Sequence, residues 1–124
     1  MQEGIITSFG TNIFAFMLRC DNDLHLKLKN IHFDRISVLD AGHCTLNRLI
    51  IELDGIVVRN TTDIETIRIG TACNGAKYSL REKNGLLIIR NSRFGDTSGF
   101  VLRTINVEMY NCTFTNPLLS LIHI

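Results

Sequence analysis

Two stretches, Ile89-Arg90-Asn91-Ser92-Arg93-Phe94 and Met109-Tyr110-Asn111-Cys112-Thr113-Phe114, are versions of one phrase, and Leu28-Lys29-Asn30-Ile31-His32-Phe33 is a third. In each, an apolar residue stands two positions before an asparagine and a phenylalanine three positions after it. A fourth copy, Leu53-Asp54-Gly55-Ile56-Val57-Val58, carries glycine at the aligned position. Aligned on Asn30, Gly55, Asn91 and Asn111, the copies agree in both directions. Four positions earlier stand Leu26, Ile51, Leu87 and Val107, and two earlier stand Leu28, Leu53, Ile89 and Met109. One position later come Ile31, Ile56, Ser92 and Cys112, and three later Phe33, Val58, Phe94 and Phe114. Every column is apolar or small except the aligned one. An internal repeat of this kind outranks any local assignment of secondary structure.

Within each copy apolar and polar residues alternate in short runs rich in β-branched side chains, as in Leu24-His25-Leu26-Lys27-Leu28 and Ile105-Asn106-Val107-Glu108-Met109, which is strand periodicity. A further strand candidate precedes each copy: Ile13 to Leu18, Ile36 to Leu39, Thr66 to Ile69 and Phe100 to Leu102. The copies are separated by 25, 36 and 20 residues, a period suited to one turn of a solenoid. The long interval predicts a lateral loop near residues 72–85, where Cys73-Asn74-Gly75 and Lys83-Asn84-Gly85 are turn signals. A corner that recurs with the same bend must accept positive φ, which glycine and asparagine tolerate best. Stacked asparagines can also bond amide to amide, so Asn30, Asn91 and Asn111, with Gly55 among them, form the expected structural ladder. The same alignment sets Lys27 beside Glu52, Lys29 beside Asp54 and Asp54 beside Arg90, pairs of opposite charge on which it was not built. Each such pair is worth on the order of 0.2–1 kcal/mol.

This pattern, over roughly Ile13 to Asn116, resembles the right-handed parallel β-helix proteins of the pectin-lyase-like kind. The resemblance implies an all-β solenoid of about four rungs in a single domain, 1–124. Residues 1–12 would serve as an N-terminal cap and 118–124 as the start of a further rung. It implies a secreted or cell-surface location, and a family whose members are lyases, hydrolases, epimerases, phage spikes and adhesins. The leucine-rich horseshoe is the competing architecture, but there the asparagine follows the last strand leucine by three residues and a leucine-spaced convex segment comes next. Here Asn30 follows Leu28 by two and no helical segment follows.

Composition sets the outer bounds. A chain of 124 residues forms one small domain, and 45% apolar residues are too many for a disordered chain. A net charge of +1 gives no bulk electrostatic reason to bind nucleic acid or an anionic membrane. The longest apolar run, Ile13 to Leu18, is too short to span a bilayer and lacks the flanks of a signal peptide. Cys20, Cys44, Cys73 and Cys112 form no C-x-x-C pair, so they read as small apolar residues. Cys20 and Cys44 lie about one repeat apart and are a candidate disulfide. The four histidines fall at unrelated repeat positions, and no metal site or cofactor is expected.

Catalytic chemistry finds little purchase. Fragments of polygalacturonase-like motifs, Gly42-His43, Asn60-Thr61-Thr62-Asp63 and Arg68-Ile69, occur in the wrong order and without the paired aspartates. An inverting glycosidase needs two carboxyls roughly 6.5–9.5 Å apart on one face, and no Asp or Glu pair recurs on the first-strand face. Lyase chemistry needs a base and charge neutralisation beside a uronate. Arg19, Arg68 and Arg103 follow the first strands of repeats and are candidates for an outer row that binds carboxylated sugars, with Tyr110 as a stacking group. Outward strand positions are polar in any case, and one repeat offers Leu39 and Asp40 instead.

The final run, Leu118-Leu119-Ser120-Leu121-Ile122-His123-Ile124, reads as the first strand of another repeat, so an end-to-end partner chain or further rungs are expected to cover that end. The expected protein is therefore a β-helix module facing polysaccharide, without a complete catalytic set of its own. The alternatives are a structural or adhesive shaft, as in adhesins or phage tail spikes, and a fragment of a polysaccharide lyase.

Overall fold

A computed structural model of the chain describes residues 2–7, 14–18, 23–41, 48–60, 65–69, 85–95, 99–102, 105–115 and 120–123. The described residues form strands β1 (Gln2–Thr7), β2 (Phe14–Met17), β3 (Leu24–Asp34), β4 (Ser37–Ala41), β5 (Leu49–Asp54), β6 (Val57–Arg59) and β7 (Ile67–Ile69). They continue with β8 (Gly85–Arg90), β9 (Arg93–Phe94), β10 (Gly99–Leu102), β11 (Ile105–Tyr110), β12 (Thr113–Phe114) and β13 (Ser120–His123). The architecture is all-β, and every strand pairing is parallel.

The strands belong to two curled sheets. One runs β11-β8-β5-β3-β6-β9-β12, with β1 also on β3, and the other runs β13-β10-β7-β4-β2. The long strand β3 serves twice: its first half pairs with β5 and its second half with β6 and β1. Between the halves stands Asn30, at φ 56°.

The apolar columns of the sequence alignment are strand registers. Leu26, Ile51, Leu87 and Val107 are successive partners across β3, β5, β8 and β11, as are Leu28, Leu53, Ile89 and Met109. Phe33, Val58, Phe94 and Phe114 are partners across β3, β6, β9 and β12. Eight of these twelve side chains are buried, Leu26, Val107 and Met109 are half-buried and Phe114 is exposed; Val38, Leu39, Ile67, Phe100 and Leu102 of the second sheet are buried with them. Phe16 of β2 meets Phe33 edge-on at 6.5 Å, and Phe100 of β10 meets Phe94 edge-on at 5.2 Å, so the two sheets share one interior.

Corner geometry follows from residue type. Gly55, Asn91 and Asn111 have φ of 69°, 51° and 53°, matching Asn30. The amides form only part of a ladder. Asn111 Nδ2 donates to Asn91 Oδ1 at 2.8 Å, but Asn91 Nδ2 then donates to Asp54 Oδ1 at 3.1 Å, because Gly55 has no side chain to receive it. A second left-handed pair, Arg35 (φ 59°) and Asn60 (φ 58°), stands five residues after Asn30 and Gly55. There Asn60 Nδ2 donates to Asp34 Oδ1 at 2.8 Å.

Ser92 and Cys112 follow their corners where Ile31 and Ile56 follow the other two. Ser92 is buried; its hydroxyl accepts the Ile56 N–H at 3.1 Å and donates to the Arg90 carbonyl at 2.8 Å. The Cys112 thiol is free and lies 3.4 Å from the carbonyls of Ile89 and Tyr110. Both small polar side chains thus satisfy backbone groups at the bend. The aromatic column is not a continuous stack: Val58 separates Phe33 from Phe94, while Phe94 and Phe114 do stack, at 5.2 Å. Residues 72–84 of the expected lateral loop, and Cys20, Cys44 and Cys73, lie outside the described residues.

Candidate functional site

Strand alternation turns the polar residues of β3, β5, β8 and β11 outward. Lys27 pairs with Glu52 and Lys29 with Asp54, and Asp54 with Arg90, as the alignment predicts. Side chains nevertheless reach diagonally. Glu52 takes a hydrogen bond from His25 Nε2 at 2.5 Å and an ion pair from Arg90 at 3.4 Å. The His25 bond, then the Arg90 bond and the Lys27 charge, hold the Glu52 carboxyl below its ordinary range, against the desolvation that opposes them.

Tyr110 is half exposed, with the Arg90 guanidinium 5.9 Å from the centre of its ring and its hydroxyl donated to Glu108 at 2.5 Å. That hydrogen bond, with the Glu108 charge, pushes the phenol above its ordinary value. Arg90 and Glu108 thus already engage the ring and hydroxyl that a stacked sugar would use.

Of the three arginines singled out in the sequence, Arg68 is described, and Arg19 and Arg103 lie outside the described residues. Arg68 stands in β7 between Asp40 of β4 and Val101 of β10, and its guanidinium lies 5.7 Å from the centre of the Phe14 ring. The register pairs Leu102 with Ile69, so the residue opposite Arg68 on β10 is Val101 and not Arg103. Arg68 therefore has an acid and an aliphatic residue as strand neighbours.

A different pair of arginines shares a surface. Val57, Val58, Arg59, Arg93, Gly95 and Thr115 line an open groove of about 300 Å³ on β6, β9 and the residue after β12. Arg93 lies beside Val57 in register, and both arginines are exposed. Among the described residues the lining contains no carboxylate. The nearest acid by register, Asp34 opposite Arg59, accepts the Asn60 amide and pairs with Arg35 Nε at 3.4 Å. Those contacts, the Asn60 bond foremost, hold Asp34 below its usual value, with a smaller contribution from Arg59.

Gly95 keeps the groove floor low. Its N–H bonds the Val58 carbonyl at 2.9 Å, and a β-carbon there would sit 3.0 Å from Thr115 Oγ1. Arg59 and Arg93 were not among the sequence candidates, because they stand on the short strands after the corner, whereas Arg19, Arg68 and Arg103 were singled out beside the strands before it. The signal was available: Arg59 lies four residues after Gly55 and Arg93 two after Asn91, positions of the same parity and hence on the same face.

Among the described residues no three His, Cys, Asp or Glu side chains are placed to hold a metal ion. Among the described residues no helix is long and apolar enough to cross a membrane. Comparison of the chain with protein-family models, curated proteins and solved structures finds no match.

Proposed function

We propose that the chain is a right-handed parallel β-helix module of about four rungs that binds acidic polysaccharide. In support of the architecture, the chain passes repeatedly between two parallel sheets, and its repeats meet column on column. The binding role rests on one observation: Arg59 and Arg93 share an open groove whose lining, among the described residues, carries no carboxylate and includes Val57 and Gly95. A sugar ring offers a C–H face to such residues and its carboxylates to the guanidinium groups, which take them in bidentate geometry.

Titration calorimetry with uronate oligomers and neutral oligomers of the same length tests this. Binding is expected for the uronates, weakening with salt, and lost by about tenfold or more in Arg59→Ala and in Arg93→Ala, since a hydrogen bond to a charged group contributes ~1.5–3 kcal/mol. Arg68→Ala, with its guanidinium on Phe14, is expected to bind as the parent does. Equal binding of neutral oligomers, or indifference to both groove substitutions, removes the proposal. Release of unsaturated products from the same uronates would move the assignment to a lyase.

A further inference from the structure

Arg59 of β6 and Arg93 of β9 stand on one diagonal of a small square. Val57 pairs with Arg93 and Val58 with Phe94, which sets Arg59 opposite Gly95. Val58 and Phe94 are fully buried, so strand alternation turns Val57, Arg59, Arg93 and Gly95 to the same outer face. The arginines hold two corners of the square, and a valine and a glycine hold the other two. Strand spacing and rise put the two arginine α-carbons roughly 8 Å apart. Two such long side chains meet easily across that span, with only small residues between them.

Three other arginines of the surface already have partners. Arg35 pairs with Asp34, Arg90 with Glu52 and the Tyr110 ring, and Arg68 lies against Phe14. Among the described residues Arg59 and Arg93 form no ion pair. Their like charges repel, and an anion held by both relieves that repulsion. Asp34 sets where the anion sits. It stands opposite Arg59 on β3, on the side away from Arg93, and its carboxyl is fixed by Asn60 Nδ2 at 2.8 Å and Arg35 Nε at 3.4 Å. A ligand carboxylate is therefore driven off Asp34 toward Arg93, and a second carboxylate over β3 meets a like charge.

We propose that Arg59 and Arg93 clamp one carboxylate between them, so that the unit recognised is a single uronate flanked by neutral sugars, and that Asp34 disfavours an unbroken run of uronates. The inference rests on the reading of this groove as a site for acidic polysaccharide, and narrows it to polymers whose acidic residues are spaced by neutral ones. Two guanidinium forks supply donors for both oxygens of one carboxylate. Beyond Gly95 on the next strand, Thr115 also lines the groove; its hydroxyl donates to the Phe94 carbonyl at 3.5 Å and keeps lone pairs for a sugar hydroxyl. The row Asp34, Arg59, Gly95 and Thr115 thus offers an acid, a base, an open place and a neutral hydroxyl in that order.

Calorimetry with three probes of one backbone tests the clamp: cellotriose, cellotriose with a carboxylate on its central unit alone, and cellotriose with a carboxylate on every unit. On the unaltered chain the mono-uronate is expected to bind at least as tightly as the tri-uronate, and cellotriose too weakly to measure. Because the mono-uronate has a single carboxylate, Arg59→Ala and Arg93→Ala are each expected to weaken it about tenfold or more. Asp34→Asn keeps the oxygen that receives the Asn60 amide. It is expected to raise the affinity of the tri-uronate relative to the mono-uronate by about threefold. The comparison of the two acids on the unaltered chain needs no variant and stands even where a substitution disturbs folding. A tri-uronate bound more than about threefold tighter than the mono-uronate would overturn the clamp and leave acidic-polysaccharide binding in place. So would a mono-uronate that responds to only one of the two arginines, or a ratio that Asp34→Asn leaves unchanged. Failure of both acids to bind the unaltered chain removes the clamp and the binding role together.

Discussion

The amide oxygen of Asn30 occupies the space that a β-carbon on Gly55 would fill. The one glycine in the corner column is thus a packing requirement of its neighbour as well as a backbone requirement, since Gly55 holds φ 69°. Gly55→Ala is expected to cost about 1–2 kcal/mol for the left-handed conformation alone. Gly55→Asn is expected to cost less, because asparagine tolerates that conformation and the Asn30 amide is a mobile end that can turn aside. Urea unfolding midpoints of the two variants check the order.

The Ser92 hydroxyl meets both the Ile56 N–H and the Arg90 carbonyl. Ser92→Ala leaves the buried donor without its partner, at an expected cost of about 1–3 kcal/mol. Ser92→Cys is expected to recover part of that loss, since Cys112 fills the equivalent corner with a thiol near two carbonyls. Thermal unfolding of the three proteins gives the comparison.

Glu52 supplies a pH dependence whose sign is determined. Its carboxyl is held below the ordinary value, chiefly by the His25 hydrogen bond and then by Arg90, so the folded state binds a proton less readily than the unfolded chain. The stabilisation is present above the unfolded carboxylate's titration and is lost as pH falls through the lowered folded value. Glu52→Gln should flatten that part of the stability profile while leaving the neutral end lower. Denaturant titrations at a series of acidic pH values measure it.

Phe94 is fully buried and touches Phe100 of the facing sheet and Phe114 of the next strand, both at 5.2 Å. Phe94→Ala is expected to cost about 3–5 kcal/mol. Phe114→Ala should cost clearly less, because that ring is 38% exposed. Calorimetric unfolding of both variants tests the gradient from the middle strands to the outer ones.

The parallel registers were legible because each corner residue lies at a fixed distance from the apolar positions on either side, so aligning Asn30, Gly55, Asn91 and Asn111 aligned the strands. The handover of the amide ladder from Asn91 to Asp54 was not, since it depends on what fills the space left by glycine. The second corner at Arg35 escaped because arginine has no intrinsic leaning to positive φ; Asn60, in the same column, carried the only cue. Charge columns were readable, but long side chains choose diagonal partners, as Glu52 does with His25 and Arg90. The groove of Arg59 and Arg93 depends on the two residues lying on adjacent short strands, and the alignment gives adjacency without the concavity that Gly95 provides.

Leu28, Leu53, Ile89 and Met109 meet in register as near equivalents. Excising residues 55–90 would therefore carry Leu53 onto Met109, join Asp54 to Asn91 and set Phe33 on Phe94 where Val58 now lies between them, so each of these interior columns would stay apolar. Length in such a molecule is a free variable: tandem duplication or loss of a whole unit leaves the local chemistry almost untouched, whereas a shift of one residue turns every interior side chain outward.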